Sequence, residues 1–135
     1  PPAGENFVYD IKMMRTSEMV LARAEANAEL NQIAASNADL NLLRANRISP
    51  YTPVVIPDKA GLIDAILLER YKELCYEGQR YFDLRRRSIP ITRDPSDIGG
   101  IASSQILPVT DFHYILPKPN QEKQANPNIQ QNIGY

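Results

Sequence analysis

Between Met14 and Ser49, and again between Asp58 and Ile89, the chain contains no proline, and in both stretches apolar residues recur at helical spacing. Proline inside a helix costs about 3 kcal/mol, so these two gaps are where helices are expected. In the first gap, Thr16 and Ser17 are N-cap candidates, and Val20, Leu21, Ala24 and Ala28 fall on one side, which predicts a helix over 17–34. Ser36-Asn37-Ala38-Asp39 resembles a capping box opening a second helix over 38–47, with Leu40, Leu43 and Arg47 on one side. In the second gap, a stripe of Ile63, Ile66, Leu67, Arg70, Leu74 and Cys75 predicts a helix over 60–77 that starts near Asp58 and stops at a left-handed Gly78. A shorter helix over 79–87 follows.

Alanines at 22, 24, 26 and 28 keep the first helix slim, so a neighbour can approach closely, as in an antiparallel helical pair of the tetratricopeptide kind. Stacked repeats of that type need about three units to bury a continuous core. The remaining helices are therefore expected outside this sequence. Pro50, Pro53 and Pro57 mark an extended, exposed connection. From Ser88 onward Pro, Gly and Ser dominate, only 112–116 reads as a strand, and the Asn/Gln-rich tail has no core of its own. The expected fold is mainly α, with tetratricopeptide-like helical hairpins over about 16–88 and irregular loops and tail over 89–135. Strand content should stay below about 10%.

With 135 residues, 43% hydrophobic, the chain can bury one modest core, as a single domain or a portion of one. Fifteen Lys and Arg against sixteen Asp and Glu give no electrostatic attraction for nucleic acid or anionic lipid. No apolar run approaches the roughly 20 residues of a membrane span. A single cysteine, Cys75, excludes an internal disulfide, and with His113 the lone histidine a Cys/His zinc site has no ligand set. Cys75 is expected to pack as a small buried hydrophobe. No metal or cofactor is expected. The sequence opens Pro1-Pro2-Ala3-Gly4 without a basic-then-apolar leader, so a targeting signal is expected upstream or already removed.

The segment from Glu69 to Arg86, ERYKELCYEGQRYFDLRR, resembles the long signature of the SusD/RagB family, in which ER, EL, EG, R, DL and R recur at this spacing. Other marks follow the same order: Ala24-Glu25-Ala26, Leu43 to Arg47, Leu116-Pro117-Lys118-Pro119, and the ending Asn126 to Tyr135, NPNIQQNIGY. The resemblance spans nearly the whole chain and identifies it as the C-terminal portion of a larger α-helical SusD-like fold. It implies a nutrient-binding lipoprotein at the outer-membrane cell surface, lipid-anchored through an N-terminal cysteine not present in this chain. Such a protein takes an oligosaccharide or peptide and delivers it to a SusC-like TonB-dependent transporter. Its nearest partner would be the missing N-terminal portion of the same protein.

Each chemically suggestive group also has a plain structural explanation. Glu69, Glu73 and Glu77 recur every four residues on one helix face, and a retaining glycosidase needs two carboxyl groups about 5 Å apart. A glycosidase acid must keep its proton, whereas the cations around these residues favour ionised carboxylates. The expected role is a structural ion-pair network of Glu69, Glu73 and Glu77 with Arg80, Arg85 and Arg86, shielded by Tyr76, Tyr81, Phe82 and Leu84. Arg85-Arg86-Arg87 is a small patch for phosphate, and His113 has no Ser, Cys or second His with which to form a triad. Tyr9, Tyr51 and Tyr114 could stack on sugar, and Tyr51, between prolines, is the best placed to face outward. No catalytic residue is assigned. The alternative to a nutrient-binding protein is a helical-hairpin scaffold whose partners are proteins alone.

Overall fold

A computed structural model describes residues 14–100 and 105–135 of the chain, which divides into two units, Pro1–Glu77 and Gly78–Tyr135. In the first unit, α1 (Thr16–Glu29), α2 (Ile33–Ala45) and α3 (Lys59–Glu73) enclose Leu21, Ala24, Ala28, Leu40, Leu43, Leu62 and Ile66. Ser36 on α2 reaches Ala24 on α1, while Arg15 at the start of α1 meets Glu73 at the end of α3. Both pairings run antiparallel to α1, which therefore lies between α2 and α3 in the manner of a tetratricopeptide-type hairpin with one further helix. The alanines at 24 and 28 are fully buried, so the slim face of α1 is the contact surface.

The helices depart from the sequence reading at their ends. Thr16 and Ser17 lie inside the first turn, and Arg15 holds the extended N-cap position without a side-chain cap bond. α1 stops at Glu29 rather than near 34, because Asn31 adopts a left-handed φ of 58°, a conformation asparagine tolerates better than most residues. α2 consequently begins at Ile33, and Ser36 to Asp39 are interior helix residues instead of a cap. Their polar side chains face neighbouring elements. Ser36 donates its hydroxyl to the Ala24 carbonyl at 2.8 Å, and Asp39 accepts from Arg23 at 2.6 and 2.9 Å and from Asn27 at 3.2 Å.

Residues 46–50 turn, residues 51–57 return along α2, and Asp58 then caps α3 by accepting the Gly61 N–H at 2.8 Å, where the helix was expected to begin. α3 ends at Glu73, four residues before the expected stop. Leu74 takes the last buried position, so Cys75, one step further, is exposed instead of packed in the core. Tyr76 (φ 63°) and Gly78 (φ 77°) are both left-handed, which breaks the helix before α4 (Gln79–Arg86).

In the second unit, Leu84 and Tyr114 are the buried hydrophobic residues among those described. Tyr81 donates to the Tyr114 carbonyl at 2.9 Å, and Tyr114 donates its own hydroxyl to the Ile89 carbonyl at 2.6 Å. β1 (Ile91–Thr92) pairs antiparallel with β2 (Ile106–Leu107), matching Ile91 with Leu107. This two-stranded pair is the only sheet among the described residues. The strand expected over 112–116 is instead a 3-10 turn, Phe112–Tyr114, because Asp111 accepts the His113 N–H at 2.9 Å and curls the chain. A short α5 (Asn120–Ala125) interrupts the tail.

Candidate functional site

The glutamates of α3 are clasped by cations on the other helices of their own unit. Glu73 receives Arg47 from just beyond α2 through two bonds, at 2.7 and 2.9 Å, while Arg15 stands 3.5 Å away and also donates to the Glu73 carbonyl. Arg15 reaches Glu77 at 3.1 Å. Arg44 of α2 meets Glu69 at 3.0 Å, and Lys72 approaches the same oxygen at 3.1 Å. Arg80, Arg85 and Arg86 lie in the second unit, where Arg86 pairs with Asp83 at 2.8 Å. Closeness in sequence pointed to arginines 80–87 as partners. Arg15, Arg44 and Arg47 have only their helical phase to reveal them, and that phase becomes informative once the three helices are docked.

Shielding also differs from expectation. Tyr76 and Phe82 are exposed, while the Glu73 side chain is only 10% exposed, beneath Arg15 and Arg47. The hydrogen bond from Arg47 holds the Glu73 carboxyl below its usual range, aided by Ser17 and by the charges of Arg47 and Arg15 and opposed by burial. A carboxylate held ionised in this way cannot protonate a leaving group near neutral pH. The ladder joins three helices.

The candidate stacking residues are also placed. Tyr51 is half-buried and its hydroxyl donates to Asn41, so its ring lies against α2 instead of standing outward. Tyr114 is buried. Tyr9 lies outside the described residues. His113 is exposed, bonded through Nδ1 to Asp111 at 2.8 Å and stacked on Phe112 with ring centres 3.7 Å apart. Among the described residues, no group of three His, Cys, Asp or Glu side chains could hold a metal.

Among the described residues, each unit carries a concavity. The first, about 320 Å³, lies between the start of α1 and the end of α2, lined by Thr16, Ser17, Val20, Leu43, Asn46 and Arg47 among others. A second, about 560 Å³, is an open groove where Phe112 and Ile115 face the tail at residues 130–133. The tail is fixed there by a two-point bond between the Gln131 side chain and the Lys118 backbone, at 2.8 and 3.0 Å. Sequence reading missed this closure, because a side-chain amide pairing with remote backbone leaves no local pattern.

This helical frame, with its clasped α3 and stapled tail, has counterparts. The SusD family profile matches residues 4–135. The chain belongs to the SusD family. A curated relative, SusD-like protein P38 of Formosa agariphila, is 30% identical over 133 residues, which cover 93% of this chain and 25% of that protein. A SusD-superfamily structure from Bacteroides vulgatus shares 32% identity at a TM-score of 0.66, over 88% of this chain and 26% of the other. A second structure from the same organism, described as a candidate sugar-binding protein, shares 32% identity at a TM-score of 0.74, over all of this chain and 31% of the other. The SusD-like chain therefore spans about a quarter to a third of the length of these relatives and corresponds to a C-terminal-type portion of them. Its mainly helical fold agrees with the sequence reading.

Proposed function

We propose that this chain is the C-terminal portion of a nutrient-binding lipoprotein of the outer membrane, lipid-anchored at the cell surface, which captures an oligosaccharide or peptide and hands it to a SusC-like TonB-dependent transporter. The observation that carries this reading is the family match over residues 4–135, supported by likeness over the whole chain to a structure described as a candidate sugar-binding protein. Residues 1–135 then form one portion of a larger SusD-like domain. In that portion the ion-pair clasp of Glu69, Glu73 and Glu77 holds the helical frame, and ligand recognition rests mainly on residues elsewhere in the polypeptide. The engaged hydroxyl of Tyr51 and the burial of Tyr114 support this division of labour.

The test is calorimetric titration of the full-length polypeptide with a panel of oligosaccharides and tryptic peptides, with mass spectrometry of the ligand before and after. The expected result is saturable binding with the ligand recovered intact. Consumption of ligand that stops in a Glu73→Gln variant would overturn the reading in favour of an enzyme. Failure to bind any member of the panel, together with stable capture of a protein partner, would favour a helical scaffold.

A further inference from the structure

The second unit has too little interior for its length. Among its described residues, the buried hydrophobic side chains are Leu84 and Tyr114, whereas Phe112, Ile115 and Leu116 are exposed and Ile133 is 95% exposed. A segment of this size with so small a core does not reach net stability by itself. Its exposed apolar groups are nevertheless held in fixed positions. Gln131 is bonded to both backbone groups of Lys118, Asn132 donates to the Leu116 carbonyl at 2.8 Å, and Tyr135 donates to the Ile115 carbonyl at 3.0 Å. The groove of about 560 Å³ between them is therefore a built shape, with Ile133 standing out from one wall.

We propose that this groove is the seat of another part of the same, longer SusD-like polypeptide, which inserts apolar side chains between Phe112, Ile115 and Ile133 and completes the core of the second unit. The inference rests on family membership and not on the nutrient-binding reading. Relatives of which this chain covers 25%, 26% and 31% have most of their residues outside the matched span, enough to supply the missing core.

The chemistry of the groove favours a protein segment over a sugar. Sugar stacking needs an open aromatic face. Phe112 has its ring against His113 on one side, and Gly134 approaches so closely that a Cβ there would lie 2.5 Å from the ring. Beside the partly covered Phe112, the exposed apolar lining is aliphatic, from Val109, Ile115 and Ile133, and the amides of Gln131 and Asn132 are already bonded within the tail. An exposed, rigidly held aliphatic patch is suited to apolar side chains.

Hydroxyl-radical footprinting of the full-length polypeptide, read by mass spectrometry, tests the proposal. Oxidation of Leu116 and Ile133 is expected at least about tenfold slower than for the same residues in short peptides, since a packed partner excludes solvent. Ile133→Lys is expected to lower the melting temperature of the full-length protein, and Ile133→Leu to leave it near wild type. Peptide-like oxidation of both residues would overturn the proposal. So would protection that appears only as the protein dimerises, or only when the transporter is added, since each identifies a different occupant. An Ile133→Lys variant that melts with wild type would do the same. The nutrient-binding reading survives every one of these failures, because ligand titration decides it separately.

Discussion

Asn37 and Ile56 meet amide to amide: the Asn37 side chain donates from Nδ2 to the Ile56 carbonyl and accepts the Ile56 N–H at Oδ1, both at 2.8 Å. Asn41 repeats the arrangement with Val54, at 2.8 and 3.0 Å. Four residues of helix rise about 6.0 Å and two residues of extended chain about 6.6 Å, so asparagines spaced by four match backbone groups spaced by two. α2 thus serves the returning chain as a neighbouring strand would. Alternation in extended chain turns residues 53, 55 and 57 the other way, where Pro53 and Pro57 lose nothing by lacking an N–H.

Asn37→Ala should therefore cost about 3 kcal/mol, since it leaves a donor and an acceptor of Ile56 unsatisfied in a half-buried position. The Asn41 bonds to Val54 are exposed, where water can replace them, and Asn41 also accepts from Tyr51, so Asn41→Ala should cost less, about 1 kcal/mol. Urea unfolding followed by helix circular dichroism gives both values. Equal losses for the two variants would show that the paired amides contribute no more than water does.

How much of this was legible in the sequence follows from the range of each interaction. The α1 stripe at Leu21, Ala24 and Ala28 and the start of α3 near Asp58 are local signals, and both were readable. Ser36, Asn37 and Asp39 carried the composition of a helix start, and only docking against α1 and the return strand shows that they are interior residues. The glutamate ladder was visible as a periodic face. Arg15 and Arg47 as partners of Glu73 were not, because Arg15 is 58 residues from Glu73 and Arg47 is 26 away. The family signature was legible and identified the family, whereas local physics alone leaves a choice between binding protein and scaffold.

The Arg44–Glu69 pair is the most enclosed of the ladder, with side chains 14% and 12% exposed. Removing one partner from such a pair strands the other charge, so Arg44→Ala should cost about 3 kcal/mol, toward the low end because Lys72 remains beside Glu69. Nε of Arg44 is buried without a partner, which makes the pair an imperfect use of the space. The double variant Arg44→Met, Glu69→Leu should accordingly lie within about 1 kcal/mol of wild type. A double-mutant cycle measures the coupling, and a value near zero would place the pair among ordinary surface contacts.

Glu73 gives the clasp a pH dependence. Its carboxyl is held below the unfolded value of about 4.3, chiefly by the hydrogen bond from Arg47. A depressed folded value means that the ionised form stabilises the fold, that this contribution is complete above the unfolded value, and that it disappears as pH falls through the folded one. Glu73→Gln should therefore lower the urea midpoint clearly at pH 7, and the gap from wild type should narrow from about pH 4 downward. A gap that stays constant down to pH 2 would mean that Glu73 contributes by packing alone.

Among the described glycines, Gly134 leaves the least room for a Cβ, which would meet Phe112. Gly134 has a φ of 101°, a conformation that strains any other residue, and a Cβ built there would lie 2.5, 2.6 and 2.8 Å from three Phe112 atoms. Two of those atoms belong to a ring held by His113 and by Tyr135, whose ring centre is 5.2 Å away at 85°. Phe112 cannot yield without disturbing both neighbours. Gly134→Ala thus combines backbone strain with overpacking and should cost about 2 kcal/mol or more. Gly99 also has a positive φ, of 56°, but no atom within 4 Å of its position, so Gly99→Ala reads a backbone component without the overpacking. Measured together, the Gly134 variant should lose about 1 kcal/mol more than the Gly99 variant. It alone should shift the His113 and Tyr135 ring proton resonances, which record ring stacking directly. If the two variants lose the same stability and those resonances do not move, the tail does not pack on Phe112 as described.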